Sequence, residues 1–484
     1  SDGKLTTRIG RNSDDVRAVL HALVEFGAPP EILVTGKPHL GTDRLVRILR
    51  NAREYLASRG AELRFGTTVD RVLFERNEKA NDDDDDDDDD EGEGTGNGGR
   101  PLRVTGVVAR KNTAAEAEKG RKPSREKEEE VEEEEEEVEE IIRASAVVLA
   151  AGHSSRGLFE ALHEDGVDLK YQSFAAGFRI EHPQALLDEL QYGAQLASLA
   201  ARGKGPLPVA DYRLAHQCVG PGAASASKSS KKNDDDDDDD EGGGRRQRQR
   251  QQQQQQQQQR ACYSFCMCPG GQIVPTSTDP TELCVNGMSF SKRSSAWANS
   301  GLVSTINESD AAPFVSSPGR EALAGLDFQR HIERKAAEMG GGDLTVPVQT
   351  APDFIAGRES SVDSLPPSSY RLGVRPARLD LLYPPEVTAA VRESLIAFDQ
   401  QLPGYAGPMA LLHAPEARTS SPVRVTREKD DMQSITAAGL FPVGEGAGYA
   451  GGIVSAAVDG LLAAEAVRNA LVSAAAEAEG IEYR

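Results

Sequence analysis

The residues best suited to chemistry lie near the carboxyl end, in the stretch GLFPVGEGAGYAGGIVSAAVDG at residues 439–460. Five glycines (Gly444, Gly446, Gly448, Gly451 and Gly452) fall within nine residues and surround one carboxylate, Glu445. Positions without a Cβ let backbone N–H groups approach a ligand closely. A helix that follows such a loop turns unpaired donors and a partial positive charge toward an anion. Glu445 is suited to accept hydrogen bonds from sugar or polyol hydroxyls. An apolar strand (Leu440, Phe441, Val443), a glycine loop, an acid and an alanine-rich helix from Ile453 to about 467 point to a dinucleotide cofactor. The plain alternative is a glycine-rich turn that packs a helix tightly on a strand. A second reactive group is the run Cys262-x3-Cys266-x-Cys268, with Cys284 sixteen residues further on. Zinc favours paired cysteines spaced by two to four residues, and four soft ligands can also hold an iron–sulfur cluster. In a strand, Cys266 and Cys268 share a face but have no loop to fold them around one ion. Three readings are open: a metal site, a redox or substrate-facing thiol, and buried small side chains. Packing is the usual fate of a free cysteine, and no metal site is expected.

The elements that must position these groups are legible in outline. Residues 14–26 read as a helix with Val16, Val19, Leu20, Leu23 and Val24 on one face, Ser13 as its cap and Gly27 as its stop. A strand is expected over 31–34, then a helix over 43–59 capped by Thr42. Strands are expected over 61–65 and 69–74. Strands 69–76, 102–109 and 141–143 read as a meander whose turns are expanded by inserts, which loop tips tolerate. A buried strand over 146–151 ends in Gly152-His153-Ser154-Ser155-Arg156. From Phe174 a strand runs into a helix begun at Pro183. Short runs near 262–268, 272–275 and 285–289 suggest an antiparallel sheet. Helices are expected over 318–339 and 386–401, and a strand over 422–426 leads back to the glycine loop. The fold class is α/β: an incomplete Rossmann-like cofactor domain plus an α+β substrate domain, with disordered low-complexity inserts.

Composition narrows the partners. The chain has 484 residues and a net charge of −23, but residues 81–94, 121–140 and 228–260 hold 31 of the 78 acids and 12 of the 55 bases. Without them 47 acids face 43 bases. The acidity therefore belongs to solvated inserts and gives no reason to expect a basic or nucleic-acid partner. No run of 18 apolar residues supports a membrane span. Five cysteines, an odd number, point to a reducing compartment. A soluble intracellular protein is expected, with plastid and cytoplasm both open. The first residue is Ser1 and the opening is polar, unlike a signal peptide, so a processed or truncated chain is expected.

Eight stretches carry a resemblance: SDGKLTTRI (1–9), KPHLGTD (37–43), AAGHSSR (150–156), FAAGFRIEHPQ (174–184), YSFCMCPGG (263–271), VNGMSFSKR (285–293), ARTSSPVR (417–424) and GLFPVGEGAGYAGGI (439–453). They resemble the uncharacterised FAD-dependent dehydrogenases that carry the FAD-dependent protein C-terminal domain. Those are two-domain flavoproteins related in fold to the glutathione-reductase class. The resemblance implies FAD at Gly444, Glu445, Gly446, Gly448, Gly451, Gly452 and Ile453, with Ala151 and Gly152 where a second strand crosses near it. It implies a small-molecule substrate, with NAD(P)H open as a reductant. It also implies the partition 1–76, 101–110, 141–172 and 436–484 for a partial FAD-binding domain. Residues 173–220 and 261–435 make the substrate domain, and 77–100, 111–140 and 221–260 the inserts. Arg179 and Arg418 lie in matching stretches and suit an anionic substrate, or equally a structural ion pair. His153 stands beside the expected flavin, or is a plain loop histidine. With Cys266 and Cys268 it makes up the catalytic candidates. Such flavoproteins hold the ADP half of FAD on an N-terminal G-x-G-x-x-G unit. This sequence starts past any such unit, so poor FAD binding by this stretch alone is expected. The rival reading is a non-catalytic flavin-fold remnant that acts as an interaction module.

Overall fold

Nine of the ten residues of strand Phe174–Pro183 are buried, because the strand is the centre of a seven-stranded sheet. The order across that sheet is Val374–Pro376, Val346–Thr350, Leu411–Glu416, Phe174–Pro183, Trp297–Ile306, Arg260–Cys268, Ala215–Cys218. The first pair is parallel and the rest are antiparallel. Side chains alternate between the faces of a strand. Phe174, Ala176, Phe178 and Ile180 join Phe328 and Ile332 of helix Ala324–Gly340 and Val391, Leu395 and Phe398 of helix Pro385–Gln401 in one apolar core. The same alternation sends Gly177, Arg179 and Glu181 to the opposite face.

That opposite face buries a charge. Arg179 is fully enclosed, and its Nη1 donates to both Glu416 carboxylate oxygens at 2.8 and 2.9 Å. Its Nε donates to Asn299 Oδ1 at 2.8 Å and its Nη2 to the Cys266 carbonyl at 2.8 Å. One guanidinium thus joins residues of four strands of the sheet. The hairpin of Gln272–Pro275 and Val285–Met288 lies over it at Gly287, where an added Cβ would stand 1.9 Å from Arg179 Nη2.

The computed structural model describes residues 3–5, 9, 13–36, 38–76, 100–111, 138–203, 205–218, 260–277 and 279–479. The expected inserts lie outside the described residues except at their ends. The meander expected from sequence is present: Leu102–Lys111 pairs antiparallel with Thr67–Arg76 and with Val138–Arg143. Ala437–Ala438 adds in parallel. Beside it, Leu440–Pro442 runs parallel to Val147–Leu149. Helix Ile453–Glu479 returns against the amino-terminal helices, where Val454 and Val458 pack with Val16, Val19, Leu20 and Ile48. Ser13 Oγ caps Asp14–Glu25 by accepting from Val16 N–H, as expected. No described helix is long and apolar enough to cross a membrane.

Three local expectations are corrected. Residues 31–34 are not a strand but the end of a 3-10 turn, Pro30–Leu33, started by a proline whose fixed φ suits a first helical position. Residues 61–65 form no strand. Thr42 is the first residue of helix Thr42–Ser58 and not its cap. Gly41 precedes it at φ 82°, and Asp43 turns away to accept from Ser291 N–H and Oγ at 2.8 and 2.7 Å.

Gly287→Ala is expected to lower stability by about 1–3 kcal/mol through overpacking against the buried guanidinium, read as a lower urea midpoint. An unchanged midpoint would show that Arg179 is loosely held.

Candidate functional site

The parallel pair Leu440–Pro442 and Val147–Leu149 delivers two loops from the carboxyl ends of adjacent strands, where α/β sheets bind ligands. One loop holds Gly152 and His153, the other residues 444–452. They touch: a Cβ on Gly446 would stand 2.4 Å from the Gly152 carbonyl oxygen. The glycine loop is anchored from outside. Ser421 Oγ donates to the Gly446 carbonyl at 2.8 Å, and Gly444 N–H donates to Asp459 Oδ2 at 2.7 Å. Asp459 is itself paired with Arg427 at 2.6 Å. Among the described residues, the N–H groups of Glu445, Gly446 and Gly452 have no acceptor in the chain. Helix Ile453–Glu479 begins directly after them.

The glycines divide by role. Gly446 is needed for close packing, and Gly448 for its left-handed backbone at φ 87°. At Gly152 and Gly451 a Cβ would meet nothing within 4 Å, so the backbone there borders open space. Ala151 uses its carbonyl to accept from Ser155 Oγ at 2.8 Å.

His153 and Glu445 face each other across this junction, with Nδ1 to Oε1 3.6 Å. His153 Nδ1 is buried and, among the described residues, makes no hydrogen bond. Burial, aided by the positive charges of Arg418 and Arg156, holds the imidazole pKa down at about 4. The ring is therefore neutral at pH 7, and the contact with Glu445 is not an ion pair. Burial also pushes the Glu445 carboxyl up, and negative charge at Cys266 adds to the effect. Glu445 and Cys266 are thus within electrostatic reach of each other.

Strand Arg260–Cys268 explains how Cys266 comes to sit there. Register against Trp297–Ile306 slips between Asn299, opposite Cys268, and Gly301, opposite Phe265. The extra residue is a β-bulge, and Cys266 takes φ 45° within it. Strict alternation therefore fails at this point. Cys266 is half-buried with Lys4 Nζ 3.6 Å from its sulfur, and Lys4 also donates to the Met267 carbonyl. Cys268 is enclosed, with Arg179 Nη2 3.3 Å from its sulfur. Its thiol is held well above the ordinary range by a hydrogen bond shared with Cys266 and by burial. Cys262 belongs elsewhere. Its hydrogen bond with Cys218 pulls Cys218 down to about 6 and pushes Cys262 up. Cys284 is buried in the core.

Arg179 spends its donors on Glu416, Asn299 and Cys266, the arrangement of the internal ion pair that is one of its two sequence readings. Arg418 places Nε and Nη2 on Glu333 at 2.7 and 2.6 Å. Arg156 reaches the same buried carboxylate at 2.8 Å. Sequence reading missed Lys4, Glu416, Glu333 and Arg156 as members of this cluster. Lys4 and Arg156 lay inside matching stretches, and Glu416 stands two residues before Arg418. A separate cleft, of roughly 660 Å³, is lined by Arg320, Arg330, His331, Arg334 and Lys335. Its lining includes no residue of the glycine loop, and Arg320 and Arg330 are neutralised by Glu160.

Comparison with known proteins adds family context. The family described as FAD-dependent protein, C-terminal domain-like, matches residues 173–225 and 247–419. An uncharacterized protein of Clostridium beijerinckii is 34% identical over 465 residues, covering 96% of this chain and 68% of the relative.

The low pKa of His153 has a consequence for stability. An unfolded imidazole takes its proton near 6.5, whereas the folded one waits until about 4. The stabilisation from keeping it neutral is complete above pH 6.5 and is lost as pH falls from 6.5 to 4. As pH falls across that window, wild type is expected to lose about 3 kcal/mol of unfolding free energy relative to His153→Gln. Parallel curves would contradict the assignment.

Proposed function

The chain belongs to the family of FAD-dependent proteins defined by that C-terminal domain, and on this premise we propose that it is an FAD-dependent oxidoreductase. Its cofactor would lie at the junction of the glycine loop, Gly152 and Cys266. The observation that carries the reading is the buried, partnerless His153 Nδ1 beside open glycine backbone and unpaired N–H donors at a helix start. A buried polar atom without a partner costs on the order of 1–3 kcal/mol, and a ligand hydrogen-bonded there removes that cost.

The chain's own residues divide the work. The N–H groups of Gly446 and Gly452 and the start of helix Ile453–Glu479 suit an anionic part of the cofactor. Glu445 would accept from its hydroxyls. Gly152 and Gly451 leave the room that a side chain would fill. FAD, once bound, supplies the hydride or electron transfer that no side chain here can perform. Cys266 is the catalytic candidate, because Lys4 stabilises negative charge at its sulfur and it is more accessible than Cys268. Arg179 positions it through its backbone carbonyl. Arg418 keeps one edge of its guanidinium free of Glu333 and is the remaining candidate for an anionic substrate. Residues 173–220 and 261–435 serve as the substrate domain in this reading.

Purified full-length protein is expected to bind FAD and to show oxidised-flavin absorption. Gly451→Val should cut FAD affinity at least tenfold, about 1.4 kcal/mol, with unchanged far-UV circular dichroism. Glu445→Gln should weaken it less. Protein that stays colourless and cannot be reconstituted with FAD would favour the non-catalytic reading.

A further inference from the structure

A second cluster of ligating side chains lies at the edge of the large sheet. His216 and Cys218, two apart on strand Ala215–Cys218, project from the same face. Cys262 stands opposite His216 in the neighbouring strand, on the same face of the sheet. Helix Pro385–Gln401 lays Glu393 over this corner. One donor atom from each of His216, Cys218 and Glu393 lies within 4.8 Å of the other two. His216 Nε2 and Glu393 Oε1 are 2.8 Å apart. Cys218 and Cys262 are buried, while His216 and Glu393 are 27% and 39% exposed, which leaves a path for an ion.

We propose that His216, Cys218, Cys262 and Glu393 form a binding site for a divalent cation of the zinc type, tying the edge strand to the covering helix. Tetrahedral zinc takes sulfur at about 2.3 Å and nitrogen or oxygen at about 2.0–2.2 Å, so its donors stand about 3.3–3.8 Å apart. Closing the donors of His216, Cys218 and Glu393 on an ion therefore needs side-chain shifts of only about 1 Å. Two sulfurs and an imidazole select zinc over magnesium or calcium, which prefer oxygen. The ion would displace the thiol protons of Cys218 and Cys262 into solvent, with no change of oxidation state. Ser394 Oγ, 3.3 Å from Cys218 Sγ, is placed to orient the first sulfur. The cysteine run read from sequence is thereby split: Cys262 turns to this corner, while Cys266 and Cys268 turn to the cofactor site.

Metal-free protein titrated with zinc against a chromophoric chelator is expected to take up one equivalent tightly. Cys218→Ser and His216→Ala should each weaken zinc binding at least about tenfold, and Cys262→Ser likewise. Cys266→Ser should leave it unchanged. Zinc should raise the melting temperature of wild type and not of Cys218→Ser. Glu393→Gln, at the rim, weakens binding without altering the core and serves if Cys218→Ser does not fold. Failure to bind zinc, uptake unaffected by Cys218→Ser, His216→Ala and Glu393→Gln, or uptake lost in Cys266→Ser overturns the proposal.

Discussion

The buried Arg179–Glu416 pair constrains more of this molecule than any other contact. A guanidinium with no exposure survives only if its charge and its donors are met, and removing one partner of such a pair costs about 3–5 kcal/mol. Here the partners come from Leu411–Glu416, Trp297–Ile306 and Arg260–Cys268, so meeting them fixes the spacing of the sheet around Phe174–Pro183. The bond to the Cys266 carbonyl has a further effect. It holds the bulge in which Cys266 adopts its left-handed backbone, and so sets where that sulfur points. Gly287 belongs to the same constraint, since a side chain there would occupy the space of the guanidinium.

The glycine loop depends on a different device. Two short parallel strands end side by side, and the loops that leave them are pressed so closely that only glycine fits at position 446. Anchors on the far side, Ser421 and Asp459, keep the loop open toward His153. The two devices meet where Cys266 reaches Glu445 electrostatically and Lys4 reaches Cys266. A neutral histidine, a carboxylate with a raised pKa and a thiol beside an ammonium meet there.

Much of this was legible in the sequence, for physical reasons. The glycine loop has a spacing that only close backbone approach explains, and the helix after it follows from its composition. Phe174–Pro183 reads as a strand that runs into a helix, though not as the centre of a sheet, and the 69–76, 102–109 and 141–143 meander from its alternation. The errors share a cause. The 31–34 segment looked extended because Ile32, Leu33 and Val34 are apolar, yet the prolines before them set a turn. Cys266 and Cys268 looked like a same-face pair because a bulge leaves no mark in a single sequence. The choice between a substrate contact and an ion pair stayed open for Arg179 because a buried partner 237 residues away cannot be seen from local pattern. Lys4, Glu416 and Glu333 were missed for the same reason: their roles exist only through partners distant in the chain.

The measurement that bears most directly on a shared site for the glycine loop and Cys266 is the rate at which Cys266 is alkylated by iodoacetamide. It is followed by peptide mass mapping in protein with and without bound FAD. Bound cofactor is expected to slow labelling of Cys266, while the enclosed Cys262 and Cys284 stay unreactive in both states. FAD that binds and leaves the Cys266 rate unchanged would contradict the placement of the cofactor at this junction.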